Sequence, residues 1–527
     1  MTISSATAHA PWNKADLFFG LLQALSLLCA LCQLRIDPST DNLNGVALVV
    51  ASSSLVIQYL WRSKSPIDHP ISSLAILGMC VTTQYAALVA QTLSWTSFTA
   101  LLRWPVVTFS VLAAVQVLAV STHWVYRHLA VTNAITAFIA HKVLTPLGAL
   151  SIPPINTLWI MAAIGLVSMA TAGGTATGDV GGKAFQAFSF LAYMPFLILI
   201  YHRRHGQAYC DIKKHGPLLL AYVAALILVA MARNGRQLMA IGPVQACLIF
   251  LVYFLQDPTP ITRRTIRRLA AVTVAVSIAI VLFADLAVAM VINRDKVAHL
   301  KPSELIEETI RTLADRTRLQ QYRQAARDGA EFNRYDEAYL DNPVIARFSE
   351  TKFHDNNIQF ATTTSDAEHR AIWRLTEDKV LAILPQPMLD ALDLKVDKNE
   401  LMYTFADFNR YLSEGPDGTL GGYATGSVWA HIIALFGLGW APLVVCLTLL
   451  PTYVILDGFS RRGNGFDVAP MAMCSTWVIF IYGLGGDSLV YNIGFYLRDF
   501  PQRLAIYLLV YAGVRYTLML ARRPIQA

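Results

Sequence analysis

Residues 269–292 have the sequence LAAVTVAVSIAIVLFADLAVAMVI, in which Asp285 is the only charged side chain. A helix that crosses a bilayer needs about 20 mostly apolar residues, so this stretch predicts a membrane span. Asp285 lies inside the predicted span, where ionisable side chains are rare and functional by default. Eleven other stretches of the chain have the same apolar character, so segments of this kind determine the fold class.

All twelve stretches lie near residues 16–34, 44–61, 71–93, 104–124, 155–172, 184–201, 217–232, 237–255, 269–292, 428–456, 467–484 and 502–520. The composition agrees, since 55% of the 527 residues are hydrophobic and only 15% are charged, against about 25% charged residues in soluble proteins. We therefore predict an all-α polytopic membrane protein with about twelve transmembrane helices. Disorder, a DNA-binding domain and a single soluble enzyme are excluded, and we expect no nucleic-acid partner.

Two stretches depart from a simple span. Residues 129–150 contain a His-Lys pair at 141–142 and are interrupted by Pro146 and Gly148. We interpret this segment as interfacial or re-entrant, with a thirteenth span as the alternative. The stretch 428–456 is too long for one plain span, so we expect its first third to lie along the outer surface or to enter at a slant.

Lys and Arg residues collect in alternate loops, and cytoplasmic loops are enriched in both. The basic residues in question are Arg62 and Lys64; Arg127; Arg203, Arg204, Lys213 and Lys214; Arg263, Arg264, Arg267 and Arg268; Arg461 and Arg462; and Arg522 and Arg523. All six loops fall on one side if twelve spans start with the N-terminus inside. This pattern predicts a membrane protein with both termini in the cytoplasm.

Residues 293–427 form a polar, acidic insert, with 17 Lys/Arg and 23 Asp/Glu residues and a charge near −6, whereas the rest is near +13. The insert divides the chain into a membrane domain (1–292), an external loop domain (293–427) and a second membrane part (428–527). We predict that the insert is mostly helical, because a run from Pro302 to Arg327 carries apolar residues at helical spacing. Aromatic residues scattered through its later part suit either a sugar-binding cap or the core of a small domain.

An arginine-containing turn, AMARNGRQLMA at 230–240, joins two predicted spans on the predicted outer face. Two arginines there oppose the charge bias of the loops, so an anion is expected to compensate them. Arginine suits bidentate contacts to phosphate oxygens, and Gly235 leaves backbone N–H groups open to an anion. Arg233 and Arg236 are therefore candidate substrate-binding residues; the alternative is that both contact lipid headgroups.

Three further residues are candidates. Arg498 lies in an external cluster at 485–503, and the alternative is that it pairs with Asp499 or another neighbour. His431 lies where the insert re-enters the membrane, and it could exchange a proton or be a satisfied interfacial histidine. Arg318 belongs to the predicted insert helix, which could form a basic wall facing an anionic substrate or be a solvated helix docked on the membrane domain.

These features resemble bacterial O-antigen and exopolysaccharide polymerases of the Wzy type. Those enzymes share a membrane-glycosyltransferase fold with the O-antigen ligases and with the shape, elongation, division and sporulation polymerases. The resemblance rests on many spans with one large, late external loop, on the turn ARNGRQ upstream of that loop, and on the loop exit TGSVWAHIIALFGLGWAPL at 425–443. One departure is His431, because family members often carry an acidic residue at that position.

The resemblance implies that a glycan on undecaprenyl diphosphate is transferred to a new lipid-linked repeat unit at the periplasmic face. Arg233 and Arg236 would then bind the diphosphate, and Arg236 would also be catalytic. Arg498 would be a second substrate-binding residue that clamps the substrate. His431 would be a catalytic orienting group or base, and Arg318 would close over the donor. No metal or other cofactor is expected, because arginines would take the place of a metal ion.

Expected partners are the undecaprenyl-diphosphate-linked oligosaccharide, the lipid bilayer, a chain-length regulator (polysaccharide co-polymerase) and a flippase. Three alternatives stay open: an O-antigen ligase of the same fold, a flippase or secondary transporter, and a non-catalytic assembly subunit. Transporter sites lie near the bilayer midplane on broken helices, often in internal repeats, and we find no matching halves in this chain.

Overall fold

The structure is a computed structural model that describes residues 13–171, 185–330, 339–340, 342–346, 348–415, 420–463, 465–475 and 488–521. The helices before the insert are α1 (Lys14–Ile36), α2 (Thr40–Ser63), α3 (Ser65–Asp68), α4 (Pro70–Cys80), α5 (Ala86–Leu93), α6 (Pro105–His128), α7 (Ala130–Phe138), α8 (Ile155–Thr171), α9 (Phe196–His205), α10 (Ile212–Ala232), α11 (Arg236–Gln256) and α12 (Arg263–Ile292).

The described part of the insert is mostly helical, as predicted. Its helices are α13 (Pro302–Ala314), α14 (Arg316–Ala330), α15 (Pro343–Ala346), α16 (Thr351–Thr363), α17 (Asp366–Leu381), α18 (Gln386–Ala391) and α19 (Phe405–Glu414). After it come α20 (Val428–Gly458), the antiparallel strands β1 (Ser460–Gly463) and β2 (Gly465–Val468), and the helices α21 (Pro470–Ser475), α22 (Leu489–Gly494) and α23 (Phe500–Ala521).

Nine helical segments among the described residues are long and apolar enough to cross a membrane. They are α1, α2, the α4–α5 segment, α6, α10, α11, α12, α20 and the α22–α23 segment. Each coincides with a predicted span, so the chain is an all-α polytopic membrane protein. The predicted span at 155–172 is the 17-residue apolar helix α8. Most of the predicted span at 467–484 lies outside the described residues.

Residues 184–201 differ from the single helix that we predicted. A 3₁₀ helix at Ser189–Tyr193 precedes α9, so the helix is broken. Gly165 of α8 gives the reason, because a Cβ there would lie 2.0 Å from the amide nitrogen of Ala192. The broken segment therefore packs its backbone directly on α8. The Tyr222 hydroxyl donates to the Ala192 carbonyl at 2.7 Å, which satisfies a group that an interrupted helix leaves unpaired.

Contacts between helix ends define one end of the bundle, which we call the basic end. Asp257, just after α11, accepts a hydrogen bond from Lys14 at the start of α1 and lies 3.6 Å from Arg203 of α9. Arg127 at the end of α6 donates to the Ser63 carbonyl at the end of α2, at 3.0 Å. The predicted cytoplasmic loops that are described thus meet at one end, and the insert packs on the other, which we call the insert end.

The segment that we interpreted as re-entrant consists of α7 and a π-helix at Ile139–Leu144. In the first turn of α7, Asn133 donates to the Arg127 carbonyl at 2.9 Å. After the segment, the Pro153 carbonyl accepts from the Tyr209 hydroxyl at 2.8 Å, close in sequence to the basic-end helix α9. Both flanks of the segment therefore lie near the basic end, as an interfacial or re-entrant segment requires.

The long helix α20 is interrupted at Gly437, whose φ of +63° and ψ of 171° are not helical. Only glycine adopts this backbone conformation without strain. The interruption separates the first third, which is buried from Val428 to Leu435, from the remainder. The unusual length that we noted in the sequence thus reflects two segments in succession.

Helix α12 is unusual because residues 266–278, more than three turns, are exposed on every face. Only its last part is buried, from Ala284 to Met290. There, Leu286 and Met290 pack with Met231 and Met239 at the α10–α11 turn. Helix α12 is therefore held by its end nearest the insert.

Helix α16 inserts into the membrane domain, and we call its contacts the anchor. The Asp355 carboxylate accepts from the backbone N–H groups of Arg103 at 2.7 Å and Trp104 at 3.0 Å, and from the Thr108 hydroxyl at 3.0 Å. Since α6 begins at Pro105, Asp355 binds the two residues that precede this helix from a distant part of the chain. The carboxylate also suits the positive end of the helix dipole.

A π-helical stretch at Val81–Tyr85 completes the anchor. The Glu350 amide donates to the Thr82 carbonyl at 2.8 Å, and the Thr351 hydroxyl donates to the Thr83 carbonyl at 2.7 Å. A π-bulge disturbs the regular i→i−4 ladder and frequently marks a functional site. Here the two carbonyls bind the start of α16.

A second attachment, which we call the clasp, joins the insert to α12. The predicted continuous helix from Pro302 to Arg327 is broken at Asp315, whose φ of −85° and ψ of 88° are not helical. The break turns α14 so that Arg316 and Arg323 both bond the Asp285 carboxylate, Arg323 at 2.6 Å. The charged residue inside the ninth predicted span is therefore paired by the insert.

Candidate functional site

A cavity of about 1260 Å³ lies at the insert end, between the insert and the start of the last membrane segment; we call it the junction cleft. Its walls come from α17 and the chain after it (Lys379 to Phe405), from Tyr423, and from residues Ser488 to Asp499. The cleft is thus formed only when the insert packs on the membrane domain. Its volume exceeds the roughly 300–1,000 Å³ of ordinary small-molecule pockets.

Cationic groups line one side of the cleft. Arg498 is half exposed, and its Nε donates to Asp499 Oδ1 at 3.0 Å. Lys398 donates to the Leu384 carbonyl, and burial, followed by the positive charge of Arg498, lowers the pKa of Lys398. Two cations close enough to repel one another favour an anionic ligand between them.

Aromatic side chains also line the cleft, among carboxylates and aliphatic residues. Lys379 Nζ lies 4.9 Å from the ring centroid of Tyr403 and 5.6 Å from that of Phe405. Tyr423 and Tyr491 also border the cavity, and both are exposed. Rings beside the carboxylates of this cavity form a surface of the kind that binds carbohydrate.

His431 lies directly beneath the cleft, with its ring centroid 3.8 Å from that of Phe405. Its Nδ1 accepts from the Leu489 amide at 3.1 Å, and its Nε2 lies 3.1 Å from the Thr376 hydroxyl. That hydroxyl donates to the Ile372 carbonyl at 2.7 Å, so we assign the ring proton to Nε2. Both nitrogens are occupied and join α17 to α22, which favours an orienting role for His431 over that of a base.

The arginine turn lies elsewhere at the insert end. Arg233 Nη1 donates to the Met169 carbonyl at 3.2 Å, near the end of α8, and burial lowers the pKa of Arg233. Asn234 has a φ of +48°, and α11 begins at Arg236 without a side-chain cap from the described residues. The amides of Asn234, Gly235 and Leu238 already donate to backbone carbonyls of the turn, so the expectation that Gly235 leaves these N–H groups open to an anion is wrong. The cationic character of the turn therefore comes mainly from its two guanidinium groups.

Arg318 lies on the surface of α14, and its Nη1 is 3.9 Å from Glu308 Oε1. A 2.5 Å bond from Lys296, with smaller effects from Arg311 and Arg318, lowers the pKa of Glu308. The structure therefore places Arg498 in the lining of the junction cleft and His431 behind Phe405, which lines it. Arg233, Arg236 and Arg318 do not line it.

The sequence did not reveal the cleft lysines at positions 379, 395 and 398. Lysines in a polar insert are ordinarily solvated, and nothing in their spacing indicates a shared cavity. The burial of the mostly polar run Lys352–Asn357 was not predicted either, because its sequence resembles that of a solvated stretch.

Comparisons of the chain with protein-family models, with curated proteins and with solved structures found no match.

Proposed function

We propose that the protein is a membrane glycosyltransferase that joins undecaprenyl-diphosphate-linked oligosaccharide repeat units into a surface polysaccharide. In this proposal the basic end faces the cytoplasm of a bacterial inner membrane, and the insert end faces the periplasm. The observation that carries it is the junction cleft, which combines cations, carboxylates and exposed aromatic rings beside a membrane-spanning segment.

The chemistry of this cleft fits a lipid-linked saccharide. Arg498 and Lys398 can bind phosphoryl oxygens, because charge-assisted bonds to phosphate are among the strongest that side chains make. Tyr423 and Tyr491 can stack on sugar rings. The leaving group, undecaprenyl diphosphate, develops negative charge, and fixed cations that stabilise it lower the barrier by several kcal/mol, on the order of 3.

The remaining residues take supporting roles. His431 is a positioning residue that holds Phe405 and α22 against α17. The turn with Arg233 and Arg236 supplies a second cationic site, which suits a reaction with two lipid-linked substrates. Arg318 is the outermost candidate, on the insert helix that covers α12.

An O-antigen ligase would need the same donor chemistry, so it is the second candidate. The distinction lies in the acceptor. A flippase would instead need access to the donor from both membrane faces, and the junction cleft lies at the insert end alone.

The test expresses the Arg498→Ala variant in cells that lack the chromosomal gene. The lipid-linked saccharides of these cells are then separated by size. Polymerisation predicts that single repeat units accumulate and that long chains are lost by about tenfold or more, since a charged contact is worth roughly 1.5–3 kcal/mol. Arg236→Ala is expected to act in the same direction.

Arg503→Ala is the matched control, because Arg503 lies five residues further on and does not line the cleft. A wild-type ladder for both Arg498→Ala and Arg236→Ala would refute the proposal. Long polymer retained on undecaprenyl diphosphate would identify a ligase, and single units trapped on the inner leaflet would identify a flippase.

A further inference from the structure

A second cavity, of about 560 Å³, lies between α2 and α6 at the basic end; we call it the α2–α6 groove. Its size is typical of small-molecule sites. On α2 the lining residues follow the spacing i, i+3, i+4, i+7 and i+8 from Leu55, and on α6 they follow i, i+4, i+7 and i+8 from Val120. Each set is one continuous helix face, so the groove runs along both helices.

The groove changes character along its length. Leu55 and Val120 line the part nearer the middle of the helices, whereas Arg62, Arg127 and His128 line the part at the basic end. An apolar part followed by a cationic part, along the direction in which the helices cross the bilayer, matches an acyl chain joined to an anionic headgroup.

Arg127 is the innermost cation. Its Nη2 donates to the Ser63 carbonyl at 3.0 Å and lies 3.5 Å from Asp68, and its side chain is only 13% exposed. Its Nε is buried and has no hydrogen-bond partner among the described residues. Buried donors are normally satisfied, and phosphate oxygens are the acceptors that guanidinium groups bind best.

The floor of the groove is fixed by a buried hydrogen-bond chain. The Tyr59 hydroxyl bonds His123 Nδ1 at 2.7 Å, and His123 Nε2 bonds the Ser72 hydroxyl at 2.8 Å. Ser72 donates in turn to the Asp457 carboxylate of α20 at 2.7 Å. A site whose walls are held in this way loses little entropy when a ligand binds.

We propose that the α2–α6 groove binds the headgroup phosphate of an anionic glycerophospholipid, with an acyl chain along Leu55 and Val120. Arg62 and Arg127 contact the phosphate. Trp124, whose ring is tilted against that of His128 at 4.6 Å between centroids, lies at the level of the headgroups. A zwitterionic lipid fits less well, because its ammonium group would face two guanidinium groups. The site does not depend on the proposed enzymatic function.

The experiment measures lipid retention by the purified, delipidated full-length protein, using native mass spectrometry with phosphatidylglycerol or phosphatidylcholine in detergent. Phosphatidylglycerol is expected to be retained preferentially. The double substitution Arg62→Gln and Arg127→Gln should weaken its binding by about tenfold or more. The charge-matched control, Arg264→Gln with Arg267→Gln, changes two exposed arginines at the same end and should retain it normally.

Because Arg127 also bonds Ser63, the single variants Arg62→Gln and Trp124→Ala, both at exposed positions, keep the test valid if the double variant does not fold. Each should weaken phosphatidylglycerol binding severalfold. Equal retention of phosphatidylcholine, or an equal loss in the control variant, would overturn the proposal. Displacement of phosphatidylglycerol by equimolar inorganic phosphate would also overturn it, since the site would then recognise a free anion.

Discussion

The insert is attached to the membrane domain twice, and the two attachments differ in kind. At the anchor, α16 is buried and bonds backbone groups of α6 and of the π-helical stretch Val81–Tyr85. At the clasp, two long side chains reach one carboxylate, and Arg316 remains 69% exposed. Buried bonds are costly to break, whereas fully exposed ion pairs contribute roughly 0–1 kcal/mol. The clasp lies between these limits, because Asp285 is buried and its arginines stay partly solvated.

This difference has a consequence for the junction cleft. The anchor and the segment after α17 belong to one hydrophobic cluster that includes Phe405 and the first third of α20. The clasp packs on separate, smaller clusters around Met290 and Leu319. We therefore expect α13 and α14 to open locally while the cleft stays formed. Three predictions test this contrast.

The largest effect is expected from Asp355→Asn. An amide at this position loses the charge at the start of α6 and leaves Lys352, which is 5% exposed, beside an uncharged partner. Breaking a buried charged pair costs about 3–5 kcal/mol of the free energy of unfolding. The variant should unfold at a clearly lower temperature in detergent. The control is Asp366→Asn at an exposed position, which should cost less than about 1 kcal/mol of the free energy of unfolding. Equal losses in the two variants would mean that Asp355 contributes no more to stability than an exposed carboxylate.

Acidification should weaken the anchor before the clasp. Burial lowers the pKa of His354 from 6.5 to about 3, so the fold holds this ring neutral. The contribution of neutral His354 to the free energy of unfolding is complete above pH 6.5. It is lost as the pH falls, because the unfolded chain then binds a proton that the folded protein does not. The loss is about 1.4 kcal/mol per pH unit, or about 2 kcal/mol at pH 5.

On the clasp side of the insert, the Lys296–Glu308 ion pair of α13 responds at lower pH. The pKa of Glu308 is lowered from 4.5, chiefly by Lys296, so its contribution persists above pH 4.5 and disappears only as the pH falls through the lowered pKa. Hydrogen exchange at pH 7 and pH 5, corrected for intrinsic rates, should therefore show loosening of α16 but not of α13. His354→Gln should abolish the change in α16; an unchanged acid response in this variant would assign the effect to another group.

The smallest effect is expected from Asp285→Asn, which removes the charge shared by Arg316 and Arg323. The loss should be about 1 kcal/mol, since both arginines are partly solvated. Raising the salt concentration from about 0.05 M to 1 M should have the same effect, because the Debye length falls to about 3 Å. Hydrogen exchange should accelerate in α13 and α14 only. Faster exchange in α16 would mean that the two attachments are energetically coupled. The control Glu307→Gln removes one charge of an exposed ion pair and should change exchange neither in α13 and α14 nor in α16.

The membrane spans were predictable because a bilayer imposes the same apolar requirement along each helix. Asp285 and Arg498 were identifiable for the same reason, as charges at positions where a membrane makes them costly. The break at Asp315 was not predictable, since the apolar spacing continues through it and only the bonds of Arg316 and Arg323 to Asp285 favour two helices.

The environment of His431 depends on contacts that are distant in sequence. Its ring partners Thr376 and Leu489 are 55 and 58 residues away, in opposite directions along the chain. No periodicity relates such positions, so the sequence could indicate a histidine at the membrane entrance but not that both nitrogens are occupied. The same reasoning applies to Lys379 and Lys398, which meet Arg498 only after the insert packs against α22.

The exposure of α12 has one more consequence. The helix has 30 residues and is about 45 Å long, whereas the hydrocarbon core of a bilayer is about 30 Å thick. Since residues 266–278 are exposed on all faces, no packing against other described helices restrains their inclination. The tilt of this segment should therefore follow the thickness of the surrounding bilayer, pivoting about the packed residues Leu286 and Met290.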